Sequence, residues 1–264
     1  MKKAVYLLLV CAAMHPLATA QVTGNVISRV FQIRFNGFTG TAFIVDYESK
    51  QYIVTANHMV ATAGDTASVD IFGASDSAWH PFDFKILHGK TPCVDVAILI
   101  PSETTITTAD PIPYDYNYAM GQEAYFLGFP FGLFTTFNGK NVAVPLIKHG
   151  YISATVPCSA IYPEGSKDNN LILLDGINNH GFSGGPVVAP DVFNGTSSNG
   201  IRPLKLVGVI SGYKNESMPV DVNGQSAPNV SGEANSGIII VIPISRAIDL
   251  IKDYVAKENA ANPK

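Results

Sequence analysis

The feature that most constrains the fold of this chain is a series of short apolar or alternating runs separated by Gly, Pro and Asn. Many such runs at short spacing predict an all-β sandwich or a pair of β-barrels. Long helical patterns do not alternate with the runs, which disfavours a parallel α/β sheet. The predicted strands are 26–34, 41–46, 52–55, 67–71, 82–87, 94–100, 123–129, 142–147, 150–156, 170–174, 187–189, 204–210 and 237–242.

The period of the apolar residues changes near the C-terminus. Ile244, Ile248 and Ile251 follow the spacing of an amphipathic helix, and Ser245 is placed to cap it. We therefore expect a helix over 243–258.

Between the strands, composition suggests where the chain divides. The stretch 101–118 is rich in Thr, Asp and Pro and lacks a long apolar run, so it is the candidate link between an N-terminal barrel over 21–118 and a C-terminal barrel over 119–242. The polar, Asn-, Ser- and Gly-rich stretches 190–203 and 213–236 are expected to be surface loops.

The N-terminus has the pattern of a signal peptide over residues 1–20. Two lysines precede the apolar run 4–13, and small residues at 18–20 suit a signal peptidase. The mature protein would begin at Gln21 and be exported to the periplasm or beyond. A lipoprotein cleavage site at Cys11 is disfavoured because Val precedes it. No run reaches the roughly 20 apolar residues of a spanning helix, so we expect no stable membrane insertion.

Composition excludes further classes of protein. The chain is 47% apolar and only 14% charged, against roughly 25% charged in average soluble proteins, so it can fill a core and disorder is not expected. The formal net charge is -4 and no Lys/Arg-rich run occurs. The electrostatic footprint of a nucleic-acid-binding protein is therefore missing.

Two cysteines follow the leader, Cys93 and Cys158. In an oxidising compartment such a pair can form a disulfide. Two unpaired cysteines that act as small apolar side chains are equally compatible with the sequence, so a disulfide and two free thiols both stay open.

The segment 179–186 places Ser183 among three glycines. Glycine allows backbone geometries that are closed to other residues, so the amides of Gly181 and Ser183 can turn toward one point beside the hydroxyl, as an oxyanion requires. A glycine-rich hairpin with an incidental Ser is the alternative. Gly-x-Ser-x-Gly also occurs in esterases, but their His follows the nucleophile, whereas every His here precedes Ser183.

The order His, Asp, Ser remains, since the order Asp, His, Ser would have to draw on Asp46 and a parallel sheet. His58 directly follows a buried-strand pattern, and strand ends hold catalytic groups rigidly. Asp95 lies within the apolar run 94–100, where a carboxylate is costly unless it has a partner. A hydrogen bond to one nitrogen of His58 would supply that partner and leave the other nitrogen to take the Ser183 proton. The alternative is an outward-facing Asp on an edge strand.

These motifs resemble those of trypsin-like serine peptidases, and the bacterial HtrA-type branch more than the digestive enzymes. The resemblance implies two six-stranded antiparallel β-barrels, chymotrypsin-like, with the site in the cleft between them, and a C-terminal α-helix. We expect no PDZ module after that helix. The matching segments, in the family's order, are 40–45, 55–58, 95–99, 181–186 and 207–212.

The resemblance also implies roles for single residues. Ser183 would be the nucleophile, His58 the general base and then acid, and Asp95 the carboxylate that orients the imidazole. The amides of Gly181 and Ser183 would form the oxyanion hole. Phe182 departs from the pattern, because digestive relatives carry there an acid that pairs with a freshly cut N-terminus. Activation by that ion pair is therefore not expected.

Three further features would bind substrate. Ser211, Gly212 and Tyr213 align with the strand that pairs with the substrate backbone. Ile177 falls at the base of the family's primary specificity pocket, which implies small or apolar side chains before the cleaved bond. His180 would lie at the rim of the cleft.

The sequence thus predicts an exported serine endopeptidase that acts on protein or peptide substrates through an acyl-enzyme, with no metal and no other cofactor. Neither His-x-x-x-His nor Cys-x-x-Cys spacing supports a metal protein. A catalytically silent member of the family that acts as a secreted binding module stays open. The physiological substrate, a propeptide and the oligomeric state are not indicated by the sequence.

Overall fold

A computed structural model describes residues 22–261 except 74, 91, 104, 138–139, 195–201 and 223–224, and it does not describe the side chains of 136–142 and 221–230. The predicted signal peptide, with Cys11, lies outside the described residues.

The first barrel consists of six antiparallel strands in the closed order β1-β2-β3-β6-β5-β4. Successive side chains of a strand point to opposite faces, and in β2 both faces are buried: Ala42 and Ile44 pack inside this barrel, while Phe43 and Val45 pack toward the second barrel. This explains why residues 42–45 of β2 form an unbroken apolar run. The strands are β1 (Val30–Phe35), β2 (Phe38–Tyr47), β3 (Lys50–Thr55), β4 (Thr66–Gly73), β5 (Ala78–His88) and β6 (Ala97–Ile100).

The second barrel is also closed and antiparallel, in the order β10-β11-β14-β13-β12-β7, and β8 and β9 form a separate two-stranded sheet. The predicted pair of six-stranded barrels is therefore confirmed. The strands are β7 (Glu123–Gly128), β8 (Thr135–Phe137), β9 (Lys140–Val144), β10 (Leu146–Pro157), β11 (Asn170–Asp175), β12 (Pro186–Pro190), β13 (Leu204–Val222) and β14 (Gln225–Pro243).

Two helices complete the described chain, a single turn α1 (Gly24–Ile27) and the C-terminal helix α2 (Ile244–Ala261). The apolar stripe of α2, including Ile248 and Ile251, is buried in the cluster that joins the two barrels. Ser245 lies inside the first turn of α2, so it does not cap the helix as expected. Neither described helix is long and apolar enough to cross a membrane.

The stretch 213–236 differs from the sequence prediction. Instead of a loop it forms most of a two-stranded ribbon, because β13 and β14, which are 19 residues long each, continue past the barrel. The ribbon residues 214–219 are exposed, so this part of β13 buries no apolar face and its sequence shows no apolar alternation. A cross-strand hydrogen bond of 2.7 Å from Asn215 to Glu233 helps to pair them.

A disulfide joins the two barrels. Cys93 precedes β6 in the first barrel and Cys158 follows β10 in the second, and their sulfur atoms are bonded. The bridge reaches the first barrel two residues before Asp95, so it ties the second barrel to the segment that carries the predicted acid.

Candidate active site

The site begins with a hydrogen-bonded pair of side chains on two neighbouring turns. A 3₁₀ turn, Asn57–Met59, follows β3 and carries His58, and another, Pro92–Val94, precedes Asp95 and β6. Since β3 and β6 are paired, the two turns emerge at the same edge of the barrel. Asp95 Oδ2 lies 2.7 Å from His58 Nδ1, and Asp95 Oδ1 accepts the His58 backbone amide at 2.8 Å.

Asp95 is well protected from water and fully engaged. Its side chain is 14% exposed, against 46% for His58, and its Oδ2 accepts a second hydrogen bond, 2.6 Å long, from the Ser211 hydroxyl. Burial by itself would raise the pKa of Asp95, but the hydrogen bonds and charge of His58 and the bond from Ser211 outweigh it and hold the pKa below the ordinary value. Asp95 therefore stays ionised at neutral pH.

Tyr162 is a member of this group that the sequence did not single out. Its ring lines the same cavity as Asp95 and Ser211, and burial raises the pKa of its phenol, against a smaller opposing effect of Ser211. No motif marks Tyr162, because it comes from an irregular segment after β10. Its only sequence signal is its place four residues after Cys158.

Ser183 lies on a turn that packs against the start of the His58 turn. The Thr41 amide donates to the Ser183 carbonyl at 2.9 Å, and the Gly184 amide donates to Ile210 at 2.8 Å. Gly184 has a φ of +82°, and a Cβ there would lie 2.7 Å from the Ala56 backbone nitrogen, so only glycine fits. In the described part of the chain, no hydrogen bond joins the Ser183 hydroxyl to His58.

In this described segment, the backbone carbonyls that lead up to Ser183 all accept hydrogen bonds, whereas two of its amides remain free. Among the described residues, the amides of Gly181 and Ser183 donate no hydrogen bond, whereas every carbonyl from 177 to 183 accepts one. Two free amides flanking a hydroxyl are the donors that an oxyanion requires. The donors to carbonyls 177 through 183 are, in order, Lys148 Nζ, Asn235 Nδ2, Phe182 N, Phe131 N, Thr41 Oγ1, Gly185 N and Thr41 N.

Phe182 secures this turn by apolar packing. Its side chain is fully buried in the core of the second barrel, with its ring edge-on to Phe126 at 5.1 Å between centroids. The turn is therefore held by the burial of an aromatic ring, at the position where the digestive relatives carry an acid.

A cavity of about 520 Å³ opens beside the pair of side chains. His58 and Asp95 line it from the first barrel, and the predicted substrate-pairing residues Ser211, Gly212 and Tyr213 line it from β13. The structure thus brings these five predicted residues to one surface.

The other two predicted substrate residues lie on the 177–180 segment. His180 is exposed, with Nε2 3.5 Å from the Tyr213 hydroxyl. Ile177 is 60% exposed, whereas its neighbour Asn178 is 2% exposed, with its side chain donating to the Gly212 carbonyl at 3.3 Å. The role of Ile177 in a specificity pocket stays a prediction.

Within the described residues, no group of three or more His, Cys, Asp and Glu side chains is placed to hold a metal ion. The chemistry that the site can carry is that of a serine hydroxyl, an imidazole oriented by a carboxylate, and a pair of free amides.

Comparisons with known proteins show the family and the fold of the chain. A sequence model of the trypsin-like peptidase domain matches residues 40–192, more than half of the chain. The Rv3671c protease of M. tuberculosis, in an inactive form, superposes with a TM-score of 0.53 at 17% identity, covering 90% of this chain and 98% of that one. The HtrA-type protease AlgW with a tripeptide superposes with a TM-score of 0.52 at 18% identity, covering 88% of this chain and 63% of that one.

At these identities the two structures share the fold with this chain, and the chain spans less than two thirds of the AlgW chain. A comparison with curated protein sequences finds no match.

Proposed function

The chain belongs to the trypsin-like peptidase family, and we propose that it is a serine endopeptidase whose catalytic residues are Ser183, His58 and Asp95. Ser183 attacks a peptide carbonyl, and His58 takes the hydroxyl proton and then passes it to the leaving amine. Water attacks the acyl-enzyme in the second half of the reaction. No metal or other cofactor takes part in these steps.

The observation that carries the proposal is the short hydrogen bond between His58 Nδ1 and the largely buried, ionised Asp95. It fixes the ring and leaves Nε2 as the nitrogen that can accept a proton. The amides of Gly181 and Ser183 would receive the negative charge that develops on the attacked oxygen. Ser211, Gly212 and Tyr213 would hold the substrate backbone along the same cavity.

Reaction of a fluorophosphonate probe tests this proposal, because the probe modifies only an activated serine. Wild type is expected to be labelled and to hydrolyse peptides, and Ser183→Ala to do neither. Ser153, an exposed serine on β10 whose hydroxyl donates to the Tyr151 carbonyl, offers the control Ser153→Ala, which should behave as wild type. Labelling of Ser183→Ala at the wild-type rate would refute the assignment.

A silent binding module is the second candidate. It is favoured by one observation, that the Ser183 hydroxyl and His58 share no hydrogen bond in the described residues. Catalytic hydrogen bonds are often long without substrate, so this does not outweigh the Asp95 pair. Wild type that neither reacts with the probe nor cleaves any member of a peptide library would make the binding module the better answer.

The exposed apolar side chain of Ile177 suggests a preference for small or apolar residues before the cleaved bond. Trypsin-like selection of Lys or Arg would need an acid at that position. A peptide library scored by mass spectrometry tests the preference, and rapid cleavage after Lys or Arg would contradict it.

We further propose that the protein is exported after removal of residues 1–20. The disulfide between Cys93 and Cys158 supports this, because such bonds persist in oxidising compartments. Sequencing of the mature N-terminus in fractionated cells is expected to begin at Gln21. A chain that retains its leader in the cytoplasm would contradict the proposal.

A further inference from the structure

Lys148 on β10 is a half-buried cation that the proposed mechanism does not use. Its Nζ donates to the Ile177 carbonyl at 2.7 Å and to Asn179 Oδ1 at 2.8 Å. Among the described residues no carboxylate pairs with it, and burial lowers the pKa of its ammonium group. A partly buried charge without a counter-ion is costly unless its hydrogen bonds are satisfied, so the position calls for an explanation.

The two acceptors of Lys148 belong to the segment that leads into the nucleophile. The Phe182 amide donates to the Asn179 carbonyl at 3.2 Å, which closes a four-residue turn over 179–182. Gly181, the third residue of that turn, has a φ of +104°, the left-handed value that distinguishes a type II turn from type I. The two turn types differ in the orientation of the central peptide, here the one between His180 and Gly181.

That orientation decides which atom faces the nucleophile. In the observed turn the His180 carbonyl accepts the Phe131 amide at 3.1 Å, which leaves the Gly181 amide free. Turning the central peptide over would withdraw the Gly181 amide and offer a carbonyl oxygen instead, which repels a developing oxyanion. Whatever fixes the two ends of the turn therefore fixes the oxyanion donors.

Lys148 contacts both ends. It bonds the side chain of Asn179, the first residue of the turn, and its Nζ lies 5.5 Å from the ring centroid of Phe182, the last residue. The hydrogen bond from Lys148 to the Ile177 carbonyl also fixes the chain just before the turn. Of the seven donors to carbonyls 177–183, Lys148 is the only charged one, and charge-assisted hydrogen bonds are roughly twice as strong as neutral ones.

We propose that Lys148 is a positioning residue of the oxyanion hole, which clamps the 179–182 turn in the form that leaves the Gly181 amide free. The inference rests on the proposed function, since it assigns a support to the same site. Lys148 touches neither substrate nor reacting atoms. Its effect would appear in the transition state, where the negative charge forms, and not in the binding of unreacted peptide.

The test compares Lys148→Met, Lys148→Arg and a matched control, Lys85→Met. Lys85 on β5 is also a partly exposed lysine over an aromatic ring, 4.6 Å from the Tyr254 centroid, with a 3.2 Å bond to Glu258, on the surface of the first barrel. Substitution by Met keeps an apolar stem but removes the positive charge and the hydrogen-bond donors. Substitution by Arg keeps the positive charge and the donors. The readouts are kcat, KM, urea unfolding, and the Kd of a peptide boronate against that of the same peptide as an unreactive amide. The boronate forms a tetrahedral adduct with an oxyanion, whereas the amide does not.

For Lys148→Met we expect kcat to fall about 10- to 100-fold, below the roughly 10²- to 10³-fold cost of deleting an oxyanion donor. Boronate affinity should fall by the same factor, while KM and the Kd of the unreactive amide stay within about threefold of the wild-type values. Lys148→Arg should recover most of the loss, and Lys85→Met should keep wild-type kcat. If Lys148→Met does not fold, Lys148→Gln replaces it in the same comparison.

Three results would overturn the inference. They are a folded Lys148→Met with kcat within twofold of wild type, an equal loss of affinity for boronate and unreactive amide, and an Arg variant no better than Met. Fluorophosphonate labelling separates this failure from that of the proposed function. Unlabelled wild type refutes the proposed function and this inference together, whereas wild type and Lys148→Met labelled at equal rates refute this inference alone.

Discussion

At the scale of single residues, Asp95 explains most about the site. One oxygen, Oδ2, accepts both His58 Nδ1 and the Ser211 hydroxyl, and the other accepts the His58 amide. The carboxylate therefore determines both where the imidazole lies and which of its nitrogens carries the proton. Both functions depend on the negative charge, so an amide of the same shape cannot replace it.

Asp95→Asn is accordingly expected to fold and to lose most activity. The carboxamide would favour the wrong imidazole tautomer, and a loss of about 10⁴-fold in kcat is typical of this change in a serine triad. Steady-state hydrolysis of a peptide substrate measures this loss. Ser153→Ala, which changes an exposed side chain outside the proposed site, is the control and should keep wild-type kcat. Retention of more than a tenth of wild-type kcat would contradict the orienting role.

The same carboxylate should leave a mark on stability. Because the folded-state pKa of Asp95 is lowered, its ionised form stabilises the fold above its unfolded pKa of about 3.9, and this contribution disappears as pH falls through the lower, folded value. Urea unfolding should give a gap between wild type and Asp95→Asn that is constant down to about pH 4 and narrows below it. Asp253→Asn, at an exposed position on α2, should show no gap. A gap that widens on acidification would be inconsistent with a lowered pKa.

At the scale of elements, the sequence predicts strands where they bury an apolar face and misses them where they do not. β2 and β6 carry unbroken apolar runs because each packs on both sides, and this is why the barrels could be predicted. Past the barrel, residues 214–219 of β13 are exposed and bury no apolar face, so the polar composition of this segment is typical of a loop.

Site residues divide in the same way. His58, Asp95 and Ser183 stand in motifs, and the chain order of their residue types limits the mechanism. Lys148 and Tyr162 belong to no recognisable motif. Lys148 matters because it contacts a carbonyl of a distant segment, and Tyr162 because it lines the cavity. Contacts between distant segments cannot be predicted from a local sequence pattern.

The turn that carries Asp95 depends on close contact with the end of β5. The Gly89 amide donates to the Val96 carbonyl at 2.8 Å, and a Cβ on Gly89 would overlap the Val94 carbonyl. Gly89→Ala should therefore push the Asp95 segment outward and destabilise the protein by about 1 to 3 kcal/mol, the usual cost of overpacking. Gly64→Ala, where a Cβ meets open space, is the control for urea unfolding. Equal stability of the two variants would show that the contact can relax.

At the scale of the whole molecule, the site lies between two barrels that each hold part of it. A shared apolar cluster, to which Phe43, Leu127 and Ile248 belong, joins the barrels and α2. The hydrogen bond from Ser211 to Asp95 crosses the boundary at the site itself. The geometry of the proposed site therefore depends on how firmly the barrels are held together, and among the described residues the disulfide is the one covalent cross-link between them besides the polypeptide chain itself.

The disulfide between Cys93 and Cys158 closes a sequence separation of 65 residues, for which chain-entropy arguments give about 4 kcal/mol of stabilisation. Reduction of wild type should lower the free energy of unfolding by roughly 2 to 5 kcal/mol. It should also reduce kcat, because the bridge holds the chain two residues from Asp95. The double variant Cys93→Ala with Cys158→Ala should have the free energy of unfolding and the kcat of reduced wild type, and adding reductant should change neither value. If a thiol titration finds both cysteines released while stability and kcat stay unchanged, the noncovalent interface alone fixes the two barrels, and the bridge does not contribute to the geometry of the site.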